Sequence, residues 1–116
     1  MSVTRAEIRD IVLAFPGASQ YASHGGKPAY RIGRKFFTWV RDEVDSLVVY
    51  VDSIDERDML IESDPALFHI TDHYRDWPIV LVRLRKANVK LVRAMLERRF
   101  RVIATKKLLT EWDAWK

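Results

Sequence analysis

A hairpin pattern at residues 29–41 restricts this chain to folds that contain an antiparallel sheet. The segments "AYRI" and "KFFTWVR" have strand-like composition, and the pair Gly33-Arg34 between them suits a tight turn. The apolar run "SLVVYVD" follows after the acidic turn "DEVD". The pattern predicts a meander of about three antiparallel strands.

Helical and further strand signals lie on both sides of this meander. Three cap signals predict the starts of helices: Thr4 with Glu7, Ser53 with Glu56, and Asn88. Residues 17–28 are predicted to form a loop, "LFHIT" and "WPIVLVRLR" to form two more strands, and "TKKLLTEWDAW" to form a final helix. The order α-β-β-β-α-β-β-α predicts one α+β domain over residues 1–116, with about five antiparallel strands covered by helices.

The composition favours a folded cytoplasmic protein. The chain has 116 residues, 48% of them apolar, which is the commonest size for one domain. It has no cysteine, so disulfides, thiolate nucleophiles and cysteine-based zinc sites are excluded. No apolar run has the length of a membrane span, and "MSVTRAEIRD" has no signal-peptide pattern. We expect no membrane association, and a monomer is favoured.

Charge is unevenly distributed along the chain. The net charge is +4, yet residues 53–82 hold two Lys/Arg against seven Asp/Glu, and residues 83–116 hold eleven against three. Arg83 and Arg85 alternate around Leu84, and Lys86 and Lys90 continue the positive charge into the third helix. These four cations at the strand–helix junction are candidates for polyanion contact, although the charges of a small domain also mix once it folds.

Two longer stretches carry a family resemblance. "FPGASQYASHGGKPAYRIGRKFFTWV" and "DPALFHITDHYRDWPIVLVRL" are similar to the two signature regions of the MmcQ/YjbR family, and "ATKKLL" is similar to its closing segment. The resemblance covers nearly the whole chain. It implies a fold like that of CyaY/frataxin, and a DNA-binding protein whose paired β-hairpins act as wings.

Transferred to this sequence, the resemblance favours the first hairpin as the DNA contact. Arg31, Arg34 and Lys35 are the basic residues of that hairpin, whereas the next turn, "RDEVDS", holds three carboxylates that repel phosphates. Tyr74, Trp77 and Trp39 are candidates for stacking on unpaired bases if they are exposed. The first helix interleaves acids with arginines, so iron delivery of the frataxin kind is rejected.

A rival interpretation is a non-catalytic module that binds a small anionic ligand or a protein partner. In its predicted pocket, His73, Tyr74 and Arg75 form a turn that is packed by Trp77, and this turn borders a small pocket with Lys27 and Tyr30. A purely structural domain also stays open.

Catalytic and metal-site patterns are weak. His69 and His73 are four residues apart on a predicted strand and turn, where that spacing does not bring both rings to one ion. "HGGKP" is not a phosphate-binding loop, because Pro28 stands where a helix would have to begin. We expect no catalytic residue, metal or cofactor, and a protein that is not an enzyme.

Overall fold

The computed structural model describes residues 2–115 and shows a six-stranded antiparallel sheet covered on one face by helices. The strands lie side by side in the order β1-β2-β3-β4-β6-β5. Their bounds are β1 Ala18–Ala22, β2 Pro28–Ile32, β3 Lys35–Arg41, β4 Ser46–Tyr50, β5 Phe68–His69 and β6 Ile79–Arg83. The helices are α1 Arg5–Leu13, α2 Ile54–Ser63, α3 Val89–Ile103 and α4 Lys106–Trp115. The predicted α+β class is confirmed.

The sheet has one strand more than the sequence predicts. The sequence predicts a loop over residues 17–28, but residues 18–22 form the edge strand β1, which pairs with β2 from Ala18 opposite Ile32 to Ala22 opposite Pro28. Small and polar residues dominate this strand, so its own composition does not distinguish it from a loop. The pairing with β2 supplies the order, and the connection shortens to residues 23–27.

The helix caps that the sequence predicts are present, but the predicted capping box at Ser53 is incomplete. The Thr4 hydroxyl accepts from the Glu7 backbone N–H at 3.1 Å, and the Glu7 carboxylate accepts from the Thr4 N–H at 3.0 Å. Asn88 accepts from the Leu91 N–H at 2.8 Å and begins α3. Ser53 caps α2 through the Glu56 N–H, but the Glu56 carboxylate accepts from Asp52 instead of Ser53.

The main core lies between the sheet and the helices. Phe37 of β3 and Phe100 of α3 are fully buried there, and the Phe15 ring lies 5.5 Å and 5.0 Å from their centroids. Trp112 of α4 closes this cluster at 4.7 Å from Phe15. Leu108 and Leu109 of α4 pack against the same core.

On the opposite face, which we call the open face, none of the four α-helices contributes to the buried cluster, and the short 3-10 helix Asp72–Tyr74 supplies Tyr74. A second, smaller cluster of buried side chains lies on it: Val48, Tyr74, Ile79 and Leu81. The strand that the sequence predicts in "WPIVLVRLR" is confirmed as β6, which is buried from Ile79 to Val82. Over the described residues, no helix has the length and apolarity needed to cross a membrane.

Candidate nucleic-acid interface

The first hairpin carries three exposed cations at one end of the sheet. Arg31 lies on β2, Arg34 lies in the turn at Gly33, and Lys35 begins β3. The Arg31 guanidinium donates to the Ser19 hydroxyl at 3.3 Å and lies over the Tyr21 ring, 5.0 Å from its centroid. None of the three has a carboxylate at ion-pair distance among the residues that the structure describes. Their positive charge is therefore not neutralised by a direct partner.

The junction cations lie in a mixed electrostatic environment. Arg83, Arg85 and Lys86 line a cavity of about 620 Å³, and the acidic turn between β3 and β4 lines the same cavity. The acidic residues of that turn are Asp42, Glu43 and Asp45. Lys90 is exposed in the first turn of α3. Phosphates approaching this junction would meet carboxylates as well as cations.

The hairpin and junction cations do not form one patch. The hairpin turn joins β2 to β3 at one end of the sheet, whereas Arg83 pairs with Ser46 at the other end. Strand β3 runs between the two ends over seven residues, about 20 Å at roughly 3.3 Å per residue. A ligand that contacts both groups must extend along the sheet.

The open face between these ends is rich in aromatic side chains. Tyr21, Ala29 and Trp39 follow one another across three paired strands, and Val48 continues the row on β4. Aromatic rings and smaller side chains line a cavity of about 310 Å³ on this face: Tyr21, Ser23, Ala29, Phe36, Trp39, Val48, Tyr50, His73, Tyr74 and Ile79. We call this cavity the aromatic groove.

Guanidinium groups lie against several of these rings. Arg31 lies over Tyr21, and Arg99 of α3 lies over Tyr50 at 4.3 Å from the ring centroid. Partial burial lowers the pKa of Arg99, while the neighbouring Tyr50 opposes that shift. Arg41 donates to the Tyr74 hydroxyl at 2.9 Å and to Glu43 at 2.9 Å, and its pKa is raised by these bonds, that to Glu43 first. Arg41 is therefore a structural cation.

The turn "DHYRDW" is held by a residue that sequence reasoning missed. Arg57 of α2 is 4% exposed, and its Nη1 donates to the backbone carbonyls of Tyr74, Arg75 and Trp77 at 3.2, 2.8 and 2.9 Å. Its Nη2 also pairs with Asp58 at 3.0 Å. Arg57 precedes Leu60 and Ile61 by three and four residues, a helical spacing that places it on the buried side of α2. That spacing is a signal that the sequence did contain.

The prediction that Trp77 packs this turn is wrong. Trp77 is 56% exposed and lines a different cavity, with Val102, Arg98 and Arg99 of α3. Tyr74 is the buried aromatic residue of the turn instead. The hydrogen bonds that Arg57 donates to the backbone carbonyls hold the turn, so packing by the Trp77 indole is not required.

The alternative ligand pocket is not assembled as one site. Lys27 and Tyr30 line a cavity with Arg5 and Asp42, whereas His73 and Tyr74 line the aromatic groove. Tyr30 faces the helices, and burial raises the pKa of its phenol. The physical reason is strand alternation, because Tyr30 and its neighbour Ala29 point to opposite faces of β2. Arg75 is exposed on the turn.

The two histidines of this region have separate environments. His69 Nε2 lies 2.8 Å from the Ser46 hydroxyl, which itself donates to the Val44 carbonyl, so the imidazole N–H is the donor. Burial, with a smaller contribution from Arg83, lowers the pKa of His69. His73 is exposed and makes an edge contact with Tyr74. Within the described residues, no cluster of three or more His, Asp or Glu side chains could hold a metal ion.

Comparison with known proteins gives one match. A family model described as YjbR matches residues 13–102, about three quarters of the chain. No curated protein and no solved structure gives a significant match. The matched range includes the first hairpin, the aromatic groove and the turn held by Arg57.

Proposed function

We propose that this chain, which belongs to the YjbR family, binds DNA without reading its sequence, through contacts between the first hairpin and the phosphate backbone. The observation that carries the proposal is the exposure of Arg31, Arg34 and Lys35 without a carboxylate partner among the described residues. Cations of this kind attract phosphates over a distance of about one Debye length. The proposal is for a binding protein and not an enzyme.

The junction cations have a smaller part in this proposal. Arg83, Arg85 and Lys86 share their cavity with three acidic residues, so the field that they present to a phosphate is partly cancelled. Other basic residues are neutralised directly. Arg98, for example, pairs with Asp52 and with Glu56. Lys90 is exposed outside that cavity and has no ion pair among the described residues, but it is a single charge, whereas the hairpin groups three such cations.

The chain offers a matched pair of variants for the test. Arg34-Lys35 and Arg85-Lys86 have the same two residue types in the same order, and all four side chains are exposed. Arg34→Glu/Lys35→Glu and Arg85→Glu/Lys86→Glu therefore change the net charge equally. We expect the hairpin variant to weaken duplex DNA binding by about ten-fold or more and to reduce the salt slope by roughly 2.

The junction variant should lose clearly less affinity. Fluorescence anisotropy of a labelled duplex, with both variants checked for an unchanged circular dichroism spectrum, measures the difference. Equal losses from the two variants would mean that overall charge, and not the hairpin, drives binding. A larger loss from the junction variant would place the contact at the other end of the sheet.

A further inference from the structure

We infer that the aromatic groove binds unpaired bases, so that this protein prefers single-stranded DNA over duplex DNA. The inference rests on the proposed phosphate contact at the hairpin. It adds that the open face binds the bases of the nucleic acid. The occupant is a short unpaired segment whose bases stack on the groove while its phosphates meet the cations of the first hairpin.

The shape of the groove suits flat rings. Ala29 separates Tyr21 on β1 from Trp39 on β3, so the smallest side chain of the row lies between two aromatic ones. Adjacent strands are about 4.8 Å apart, which places the two aromatic residues about 10 Å apart. A volume of about 310 Å³ is at the small end of the range for ligand sites and admits few rings.

Four rings of the groove keep part of their surface exposed, and guanidinium groups lie over three of them: Arg31 over Tyr21, Arg41 over Trp39 and Arg99 over Tyr50. Tyr21, Phe36, Trp39 and Tyr50 are each partly exposed, although the strands that carry them are paired. Aromatic side chains that are left half-exposed on a sheet lose the benefit of full burial, and stacking on a base restores it. Tyr74 differs from these rings because it is buried and forms one wall of the groove. Its hydroxyl accepts a hydrogen bond from Arg41, which holds the ring in place.

The charges around the groove complement a phosphate backbone. The side chains that line it include no aspartate or glutamate. Arg31 at the Tyr21 end lies over an aromatic ring and, over the described residues, has no carboxylate at ion-pair distance. Arg99 lies over Tyr50 from the neighbouring cavity, which it shares with Trp77 and Asp52, and is not part of the groove. Aromatic rings beside unneutralised cations, here Arg31 and the hairpin turn, are an arrangement by which proteins bind single strands without sequence preference.

The groove is also continuous with the hairpin. Phe36 lines the groove and directly follows Lys35, and Arg31 pairs with Phe36 across the hairpin. A strand held by its phosphates at Arg34 and Lys35 thus has bases within reach of the groove. Duplex bases are stacked on each other and keep their faces covered, so a duplex reaches the hairpin but not the groove.

The experiment compares a short oligothymidine with a duplex of matched length, both in low salt. Trp39→Leu removes the central ring of the groove, and Trp77→Leu is the matched control, because Trp77 is more exposed but lies outside the groove. Loss of one stacked base is expected to weaken oligothymidine binding on the order of ten-fold. Duplex binding by Trp39→Leu, and both affinities of Trp77→Leu, should stay within about two-fold of wild type.

The outcomes separate this inference from the proposed function. If Trp39→Leu binds both ligands like wild type while Arg34→Glu/Lys35→Glu binds both weakly, the groove inference is overturned and the hairpin proposal stands. If the wild type binds neither ligand in low salt, both fail. An oligothymidine affinity that does not change with salt concentration would also overturn the inference, because it would mean that no phosphate is neutralised on binding.

A second variant covers the case in which Trp39→Leu does not fold. Tyr21→Leu changes a half-exposed residue on the edge strand β1, where fewer contacts are lost. It should lower oligothymidine affinity by several-fold and leave duplex affinity unchanged. An unchanged affinity for both ligands in folded Tyr21→Leu protein counts against the groove.

Discussion

Replacing Arg57 with methionine should destabilise the protein strongly, although the residue lies in a short surface helix. Its Nη1 carries two hydrogens and shares them among three backbone carbonyls of the turn at residues 74–77. Hydrogen bonds from a charged donor contribute about 1.5–3 kcal/mol each when the group is buried. The carbonyls of Arg75 and Trp77 are only partly buried and regain water, so the lower end applies.

We therefore expect Arg57→Met to lower the free energy of unfolding by about 3 kcal/mol. That is a large part of the 5–15 kcal/mol that is typical of a domain. Urea denaturation followed by circular dichroism measures it as a lower midpoint with an unchanged slope. Because Tyr74 and His73 lie on the same turn, the variant should also weaken oligothymidine binding.

Arg98→Met is the matched control for this prediction. Arg98 also lies on a helix and pairs with two carboxylates, but its side chain is 56% exposed. Exposed ion pairs contribute about 0–1 kcal/mol, so this variant should be nearly as stable as wild type. A loss of less than about 1 kcal/mol in Arg57→Met, or equal losses in the two variants, would mean that the buried hydrogen bonds of Arg57 do not determine its contribution to stability.

Three further predictions concern stability alone. Burial lowers the pKa of His69, so the folded state keeps a neutral imidazole, and the free energy of unfolding should fall as the pH drops through about 6.5. His69→Gln keeps a donor for Ser46 and should flatten this dependence in denaturation curves; equal slopes in both proteins would contradict the assignment. Gly17 has a φ of +78°, and an added Cβ would lie 2.8 Å from a methyl carbon of Leu108, whereas Gly25, at a φ of +73°, has open space. Gly17→Ala should therefore lower the melting temperature more than Gly25→Ala, whose cost is about 1–2 kcal/mol of stability. Equal shifts in melting temperature would mean that Leu108 moves away from the added methyl group without cost. The buried Thr38 hydroxyl donates to the Val48 carbonyl at 2.6 Å, so Thr38→Val should cost about 1 kcal/mol in urea denaturation, and no change would count against that bond.

Features that depend on neighbouring residues were predictable from the sequence. The box at Thr4 and Glu7, the cap at Asn88 and the turn at Gly33 each involve partners no more than four residues apart. Their chemistry is complete within a short window, so the residue types determine the structure. The strand over the apolar run from Ile79 to Val82 was predictable for the same reason.

Features that depend on distant residues were not predictable in the same way. Strand β1 is ordered by β2, and Arg57 finds its acceptors 17 to 20 residues further along the chain. The aromatic groove collects rings from β1, β3, β4 and the turn before β6, and only the sheet order brings them to one face. The split of the predicted pocket between Tyr30 and His73 has the same origin.

Titration of the wild-type protein with a short duplex across a salt series decides whether phosphates are bound at all. Three hairpin cations that each neutralise one phosphate give a slope of about −3 when the logarithm of the association constant is plotted against that of the salt concentration. We expect binding at low salt with a slope near that value. Absence of binding at low salt, or a slope near zero, would contradict the proposal that this hairpin binds DNA through its phosphates.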